Sequence, residues 1–260
     1  RSTLVCGGPG CGKTVFAMTF LVNGIRQNNE NGVFFSFEEN RESLLCNFAS
    51  LELDVRNLCD AGRMEMLCLG GNLSEVIETG AFDLDALFIR MEQALKRVDA
   101  RRAALDSLET LFSAFQSTAV LRSEIRRLFS WLSKKGVTSV ITAEGDETGL
   151  TRNGIEEFVS DCVLSLDHRI RKQVSRRRVR IVKYRGSGHS SDEHPFLISK
   201  KGISVMPVTS LGLEHDASVD RVSSGIPDLD QMLEGKGYFR GSSILLTGTA
   251  GTGKSSFSAA

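Results

Sequence analysis

Gly-x-x-x-x-Gly-Lys-Ser/Thr occurs twice in this chain. The first copy is Gly7-Gly8-Pro9-Gly10-Cys11-Gly12-Lys13-Thr14 and the second is Gly248-Thr249-Ala250-Gly251-Thr252-Gly253-Lys254-Ser255. No other feature restricts the fold as much, because such a loop cradles a triphosphate only between a buried strand and the start of a helix. The flanks fit. Thr3-Leu4-Val5-Cys6 precedes the first loop and Ile244-Leu245-Leu246-Thr247 the second; both runs read as buried parallel strands. Val15 to Ile25 follows with helical apolar spacing and no proline. One chance match is expected in roughly 1% of chains of this length, so two are a signal. Lys13 and Lys254 lie 241 residues apart, which reads as a domain repeat. We expect a first domain at 1–206, a linker at 207–220 and the opening of a second domain at 221–260. The chain starts one residue before a strand and stops inside a helical stretch, as a piece of a longer protein would.

The loop chemistry follows from the residue types. Glycines allow successive backbone N–H groups to converge on phosphate oxygens, and the helix dipole points the same way. Lys13 reaches the outer phosphates, and the Thr14 hydroxyl is a magnesium ligand. Lys254 and Ser255 would take the same roles in the second copy. ATP and magnesium are therefore the expected ligands.

Apolar strand-like runs alternate with helical patterns, which gives an α/β fold around a mostly parallel sheet with helices on both faces. The expected strands are Leu4–Cys6, Val33–Phe37, Met64–Leu69, Ala103–Asp106 and Val137–Thr142. The expected helices are Thr14–Arg26, Arg41–Leu51, Leu84–Val98 and Val120–Lys134, the last with Leu121, Ile125, Leu128 and Leu132 on one face. From Cys162 the runs shorten to Cys162–Leu166, Arg178–Lys183, Phe196–Ile198 and Ile203–Met206, an antiparallel extension of the sheet.

Bulk properties exclude several classes. The 260 residues carry 32 basic and 32 acidic side chains, so no net field draws the chain to nucleic acid or an anionic membrane. No apolar run approaches a bilayer span. The six cysteines include no Cys-x-x-Cys pair and no histidine at zinc spacing; they read as reduced, mostly buried thiols of a cytoplasmic protein.

Four groups of side chains are candidates for chemistry. Asp106 ends the apolar run Ala103-Ala104-Leu105, where a second magnesium anchor sits; a helix-capping role is the alternative. Glu38 and Glu39 follow a strand at its carboxyl end, where open α/β sheets bind ligands. Either of them can orient or deprotonate a water, or both can cap the next helix. Lys183, Arg185 and His189 lie in Lys-Tyr-Arg-Gly-Ser-Gly-His past a strand end, either a solvated turn or a basic finger aimed at a neighbouring subunit's γ-phosphate. Arg169 to Arg180 holds six arginines and one lysine with no interleaved aromatic residue, which favours a strand edge or subunit interface over a nucleic-acid groove.

Taken together, these stretches resemble the KaiC family of circadian clock ATPases. Gly32-Val33-Phe34-Phe35-Ser36-Phe37-Glu38-Glu39, Phe82-Asp83-Leu84-Asp85-Ala86-Leu87, Leu105-Asp106-Ser107, Glu156-Glu157-Phe158-Val159-Ser160-Asp161, Lys183 to His189 and Val222-Ser223-Ser224-Gly225 carry the likeness through almost the whole chain. It implies tandem RecA-like P-loop domains in a hexameric double ring with ATP between neighbours. It further implies Asp106 as the Walker B carboxylate, Glu38 and Glu39 as paired catalytic glutamates, and Lys183, Arg185 and His189 approaching ATP from the adjacent subunit. The first domain of the family is a slow ATPase; the second carries serine/threonine autokinase activity. Three departures stand out. Cys11 replaces a small or hydroxylated residue, and its thiol is expected to make the loop sensitive to oxidation. Ser191 and Lys200 replace other polar residues near the nucleotide. Gly70 to Gly80 replaces a proline- and acid-rich loop, which puts binding of a KaiB- or KaiA-like partner, and a timekeeping role, in question. A RecA-type DNA motor and a non-catalytic ATP-dependent scaffold are the competing readings.

Overall fold

The computed structural model describes residues 1–69, 84–112, 117–145, 150–151, 159–171, 173–207 and 218–258. The chain forms two compact units, Arg1–Leu211 and Gly212–Ala260.

The first unit is built on a nine-stranded sheet. Its strands are β1 (Ser2–Gly7), β2 (Gly32–Ser36), β3 (Met64–Cys68), β4 (Arg102–Asp106), β5 (Thr138–Glu144), β6 (Cys162–Arg171), β7 (Val174–Tyr184), β8 (Glu193–Ser199) and β9 (Gly202–Val205). The spatial order is β3-β2-β4-β5-β1-β6-β7-β8-β9. The first six strands in that order run parallel and the last three continue antiparallel. The helices are α1 (Lys13–Asn28), α2 (Arg41–Ala49), α3 (Val55–Asp60), α4 (Leu84–Arg97), α5 (Leu108–Phe112) and α6 (Thr118–Lys134).

Burial on both faces explains why the central strands are apolar at every position rather than at alternate ones. Successive side chains point to opposite faces. On one face Leu4, Val33, Phe35 and Leu105 pack with Leu87, Met91 and Leu95 of α4 and with Ile125, Leu128 and Leu132 of α6. On the other, Val5, Phe34, Ala104 and Val140 pack with Met18, Leu21 and Ile25 of α1 and with Leu44 and Phe48 of α2. The four expected α6 positions, Leu121, Ile125, Leu128 and Leu132, are all buried. Each such side chain contributes about 1.5–3 kcal/mol on burial.

The second unit holds a two-residue ladder of β10 (Arg221–Val222) with β11 (Tyr238–Phe239), α7 (Pro227–Met232) and α8 (Lys254–Ser258). Here the structure corrects the sequence. Ile244–Thr247, expected as a buried strand, carries no strand, and Leu245 is 86% exposed. A strand needs partners for its backbone groups, and the described residues of this unit place none beside it.

The thiols also differ from expectation. Cys6 and Cys11 are buried, Cys59, Cys68 and Cys162 are half-buried, and Cys46 lies exposed on α2; none of the six forms a disulfide.

Candidate functional site

The parallel strands share one carboxyl edge, and the expected groups collect there. β1 ends at Gly7, which a side chain could not occupy, since a Cβ would stand 2.3 Å from the Leu166 carbonyl oxygen of β6. The loop turns through left-handed conformations at Gly10 (φ 71°) and Gly12 (φ 108°), which glycine adopts without steric cost. Lys13 then opens α1. Its ammonium donates to the carbonyl oxygens of Gly7 (2.7 Å) and Gly8 (3.1 Å), so it folds over the loop that it would share with a phosphate.

Asp106 ends β4, which is separated from β1 by β5. Two hydroxyls bridge that gap. Thr142 of β5 and Thr14 of α1 both donate to the Asp106 carboxylate. Burial raises the Asp106 carboxyl above the ordinary carboxylate range; the Thr142 and Thr14 hydrogen bonds pull it the other way. Asp106 is therefore tied across the sheet edge. The hydroxyl of Thr14 and the carboxylate of Asp106 are hard oxygen donors, the set that suits magnesium when water and phosphate complete its octahedron. Among the described residues no cluster of three or more His, Cys, Asp or Glu offers an all-protein metal site.

The glutamates reach the same edge. The Phe37 N–H donates to the Asp106 carbonyl oxygen (2.8 Å), which carries the chain past β2 alongside β4. Glu38 Oε1 accepts from Ser107 Oγ (2.6 Å) and Thr110 Oγ1 (2.7 Å). Glu39 Oε2 accepts from Asn47 Nδ2 (2.8 Å), and its backbone is held by Ser36 Oγ. Desolvation, reinforced by the charges of Asp106 and Glu38, raises the Glu39 carboxyl. The capping alternative fails for both glutamates, because Asn40 caps α2 by accepting from the Ser43 N–H (2.9 Å). The Asp106–Ser107 peptide bond is cis.

Cys11 overturns its expectation. It is 1% exposed beneath the loop. Burial raises its thiol despite the opposing charge of Lys13. A shielded, protonated thiol is a poor nucleophile and a poor target for oxidants.

Lys183, Arg185 and His189 are not brought to Lys13. Tyr184 pairs with Cys162, which pairs with Thr3, whereas Gly7 pairs with Leu166. The basic turn thus follows the opposite edge of the sheet, roughly 13 Å away at 3.3 Å per residue. The Arg185 N–H donates to the Asp161 carbonyl oxygen (2.8 Å), and its guanidinium faces the Asp161 carboxylate at 3.9 Å. His189 is exposed.

The arginine-rich segment forms the β6–β7 hairpin. Glu193 of β8 accepts from Arg178 (2.8 Å) and Arg169 (3.1 Å), and the Arg178 bond foremost holds its carboxyl below the ordinary range. With Gly8 and Pro9 these residues line a trough of about 530 Å³ beside the loop.

The second motif repeats the first locally. Gly251 (φ 80°) and Gly253 (φ 79°) are left-handed, and Lys254 Nζ donates to the Gly248 (2.7 Å) and Thr249 (2.6 Å) carbonyl oxygens. Ala250 and Thr252 complete the turn, and Ser255 enters α8. Among the described residues of the second unit no carboxylate stands on a sheet edge beside this loop.

The supporting roles of Ser107, Thr110, Thr142 and Asn47 were not expected from the sequence. Ser107 follows Asp106 directly and could have been noticed. The other three meet their partners only through tertiary packing. Gly70 to Gly80 and Glu156 to Phe158 lie outside the described residues.

Comparison with known proteins points to one family. A family model described as "ATPase: KaiC" matches residues 1–210 and 222–260. "Circadian clock protein KaiC2" of Synechocystis sp. is 50% identical over 259 residues, covering 100% of this chain and 46% of that protein. "Circadian clock oscillator protein KaiC" of Prochlorococcus marinus is 41% identical over 256 residues, covering 98% of this chain and 51% of the relative. The protein of that name in Synechococcus elongatus is 40% identical, with 98% and 49% covered. The chain spans about half the length of the curated relatives it matches.

Proposed function

The chain belongs to the KaiC family of ATPases, and from that premise we propose that its first unit hydrolyses ATP with magnesium at an interface between subunits. One observation carries the reading: Asp106, Glu38 and Glu39 converge on the sheet edge that holds the Lys13 loop. In this mechanism the loop amides and Lys13 hold the β- and γ-phosphates. Thr14 and Asp106 would hold a magnesium ion, which when bound would supply positive charge to offset that of the phosphate oxygens. Glu38, with Glu39 beside it, orients the water. The water oxygen attacks the γ-phosphorus as the bond to the β,γ-bridging oxygen breaks; ADP departs with that electron pair, and the water proton passes to Glu38. In P-loop enzymes such catalysis is mainly positioning and charge stabilisation.

Lys183, Arg185 and His189 sit too far from their own loop to act on it, which supports a role at a neighbour's γ-phosphate. That role requires a ring of several copies, and a hexamer is the assembly we propose. The clock names of the relatives support a regulatory setting; the cytoplasm is the compartment we propose for it. No helix among the described residues is long and apolar enough to cross a membrane. The 221–260 segment is read as the start of a second domain, which in the full protein would carry serine/threonine autokinase activity. Binding of KaiA- or KaiB-like partners is not carried over, because Gly70 to Gly80 contains no proline.

The test is Arg185→Ala. Turnover by the assembled protein should fall about 100-fold or more, as for loss of a trans arginine, while ATP affinity of isolated monomers stays within a factor of two. Equal losses in both would remove the trans role.

A further inference from the structure

Two hydroxyls close on one oxygen of Glu38. Ser107 Oγ and Thr110 Oγ1 both donate to Oε1, at 2.6 and 2.7 Å, and among the described residues Oε2 receives no hydrogen bond. The donors stand three residues apart, on one face of the turn that opens α5. That turn is anchored on both sides. Leu108 is fully buried in the core, and the Glu109 carboxylate accepts from the Glu144 N–H at the end of β5. A threonine within a helix ordinarily turns its hydroxyl back to a carbonyl in the preceding turn or to solvent. Thr110 instead bonds a residue 72 positions away, across the sheet edge.

A single donor leaves a carboxylate free to swing about that hydrogen bond. A second donor on the same oxygen, from a fixed direction, removes the swing. We propose that Thr110 is a positioning residue for hydrolysis: together with Ser107 it fixes Glu38 by Oε1, so that Oε2 is the oxygen presented to the attacking water. This rests on Glu38 being the group that receives the water proton. Thr110 touches neither water nor nucleotide in this account; it acts through Glu38.

The experiment measures steady-state phosphate release against ATP concentration for the assembled protein. Thr110→Val keeps the shape and removes the donor; kcat should fall about tenfold, the value of one hydrogen bond to a charged group, with KM within twofold. Thr110→Ser restores the hydroxyl and should return kcat to within twofold of the parent. In a Glu38→Ala background nothing remains to be positioned, so adding Thr110→Val should change kcat less than twofold. Thermal melting of each variant checks that folding is intact. A Thr110→Val protein with parental kcat, one that loses KM instead, or one that loses the same factor without Glu38 overturns the inference. The two levels separate cleanly. If Glu38→Ala leaves turnover intact, the assignment of Glu38 fails and Thr110 falls with it. If Glu38→Ala cripples turnover while Thr110→Val does not, only the positioning role fails.

Discussion

Residues 7–14 and 248–255 carry one motif in two settings. In both, the glycines at the fourth and sixth positions of the motif are left-handed, and the lysine folds back on the carbonyl oxygens of the first two loop residues. The local shape therefore comes from the eight residues themselves. The surroundings differ. Leu4 and Val5 before the first loop are fully buried between β5 and β6, whereas Leu245 before the second is 86% exposed. The first loop shares its sheet edge with Asp106, Glu38 and Glu39, at the ends of β4 and β2; among the described residues of the second unit no carboxylate stands on a sheet edge beside the second loop. A phosphate loop supplies grip; the sheet around it supplies chemistry.

The sharpest way to break this comparison is to remove each lysine in turn. Lys13→Ala should lower phosphate release by this chain at least about 100-fold, a loss of the main phosphate contact. Lys254→Ala should leave that rate within about twofold. Equal effects would mean that the sheet is not what separates the two loops.

Packing gives the next largest contrast. Leu4→Ala should cost about 2–5 kcal/mol in chemical denaturation, as for a large-to-small change in a core. Leu245→Ala should stay within about 0.5 kcal/mol. Comparable costs would show that the second apolar run is buried as well.

The smallest effect concerns Asp106. Its carboxyl is raised in the folded chain, chiefly by burial. A raised value means that the fold favours the protonated form, so stability present at low pH is lost as pH climbs through the raised value. Asp106→Asn should therefore melt at a higher temperature than the parent at pH 7 without magnesium or nucleotide, and the gap should narrow toward pH 4. The same substitution should remove the extra stabilisation that magnesium adds to bound nucleotide. A lower melting temperature at pH 7 would indicate that Asp106 is held by its hydroxyl partners more strongly than burial opposes it.

Much of the parallel half was legible because its strands are buried on both faces and read as unbroken apolar runs. Val33–Phe37 and Ala103–Asp106 fall within a residue of β2 and β4. The long helices announced themselves by periodicity. The short helices α3 and α5 span about one turn each and have no period to read. Strand order was also invisible: β5 stands between β1 and β4, and Asp106 meets the loop through the Thr142 and Thr14 hydroxyls. The loop and the three carboxylates were legible from type and position. Their supports, Asn47 and Thr110, were not, because a hydrogen bond between residues 38 and 110 leaves no local pattern. Cys11 misled because exposure cannot be read from a motif.

Calorimetric titration of the assembled protein with magnesium and a non-hydrolysable ATP analogue tests the central claim most directly. The account predicts saturable heat that disappears in Lys13→Ala and persists in Lys254→Ala. Heat that survives Lys13→Ala, or none from the folded parent, would contradict it.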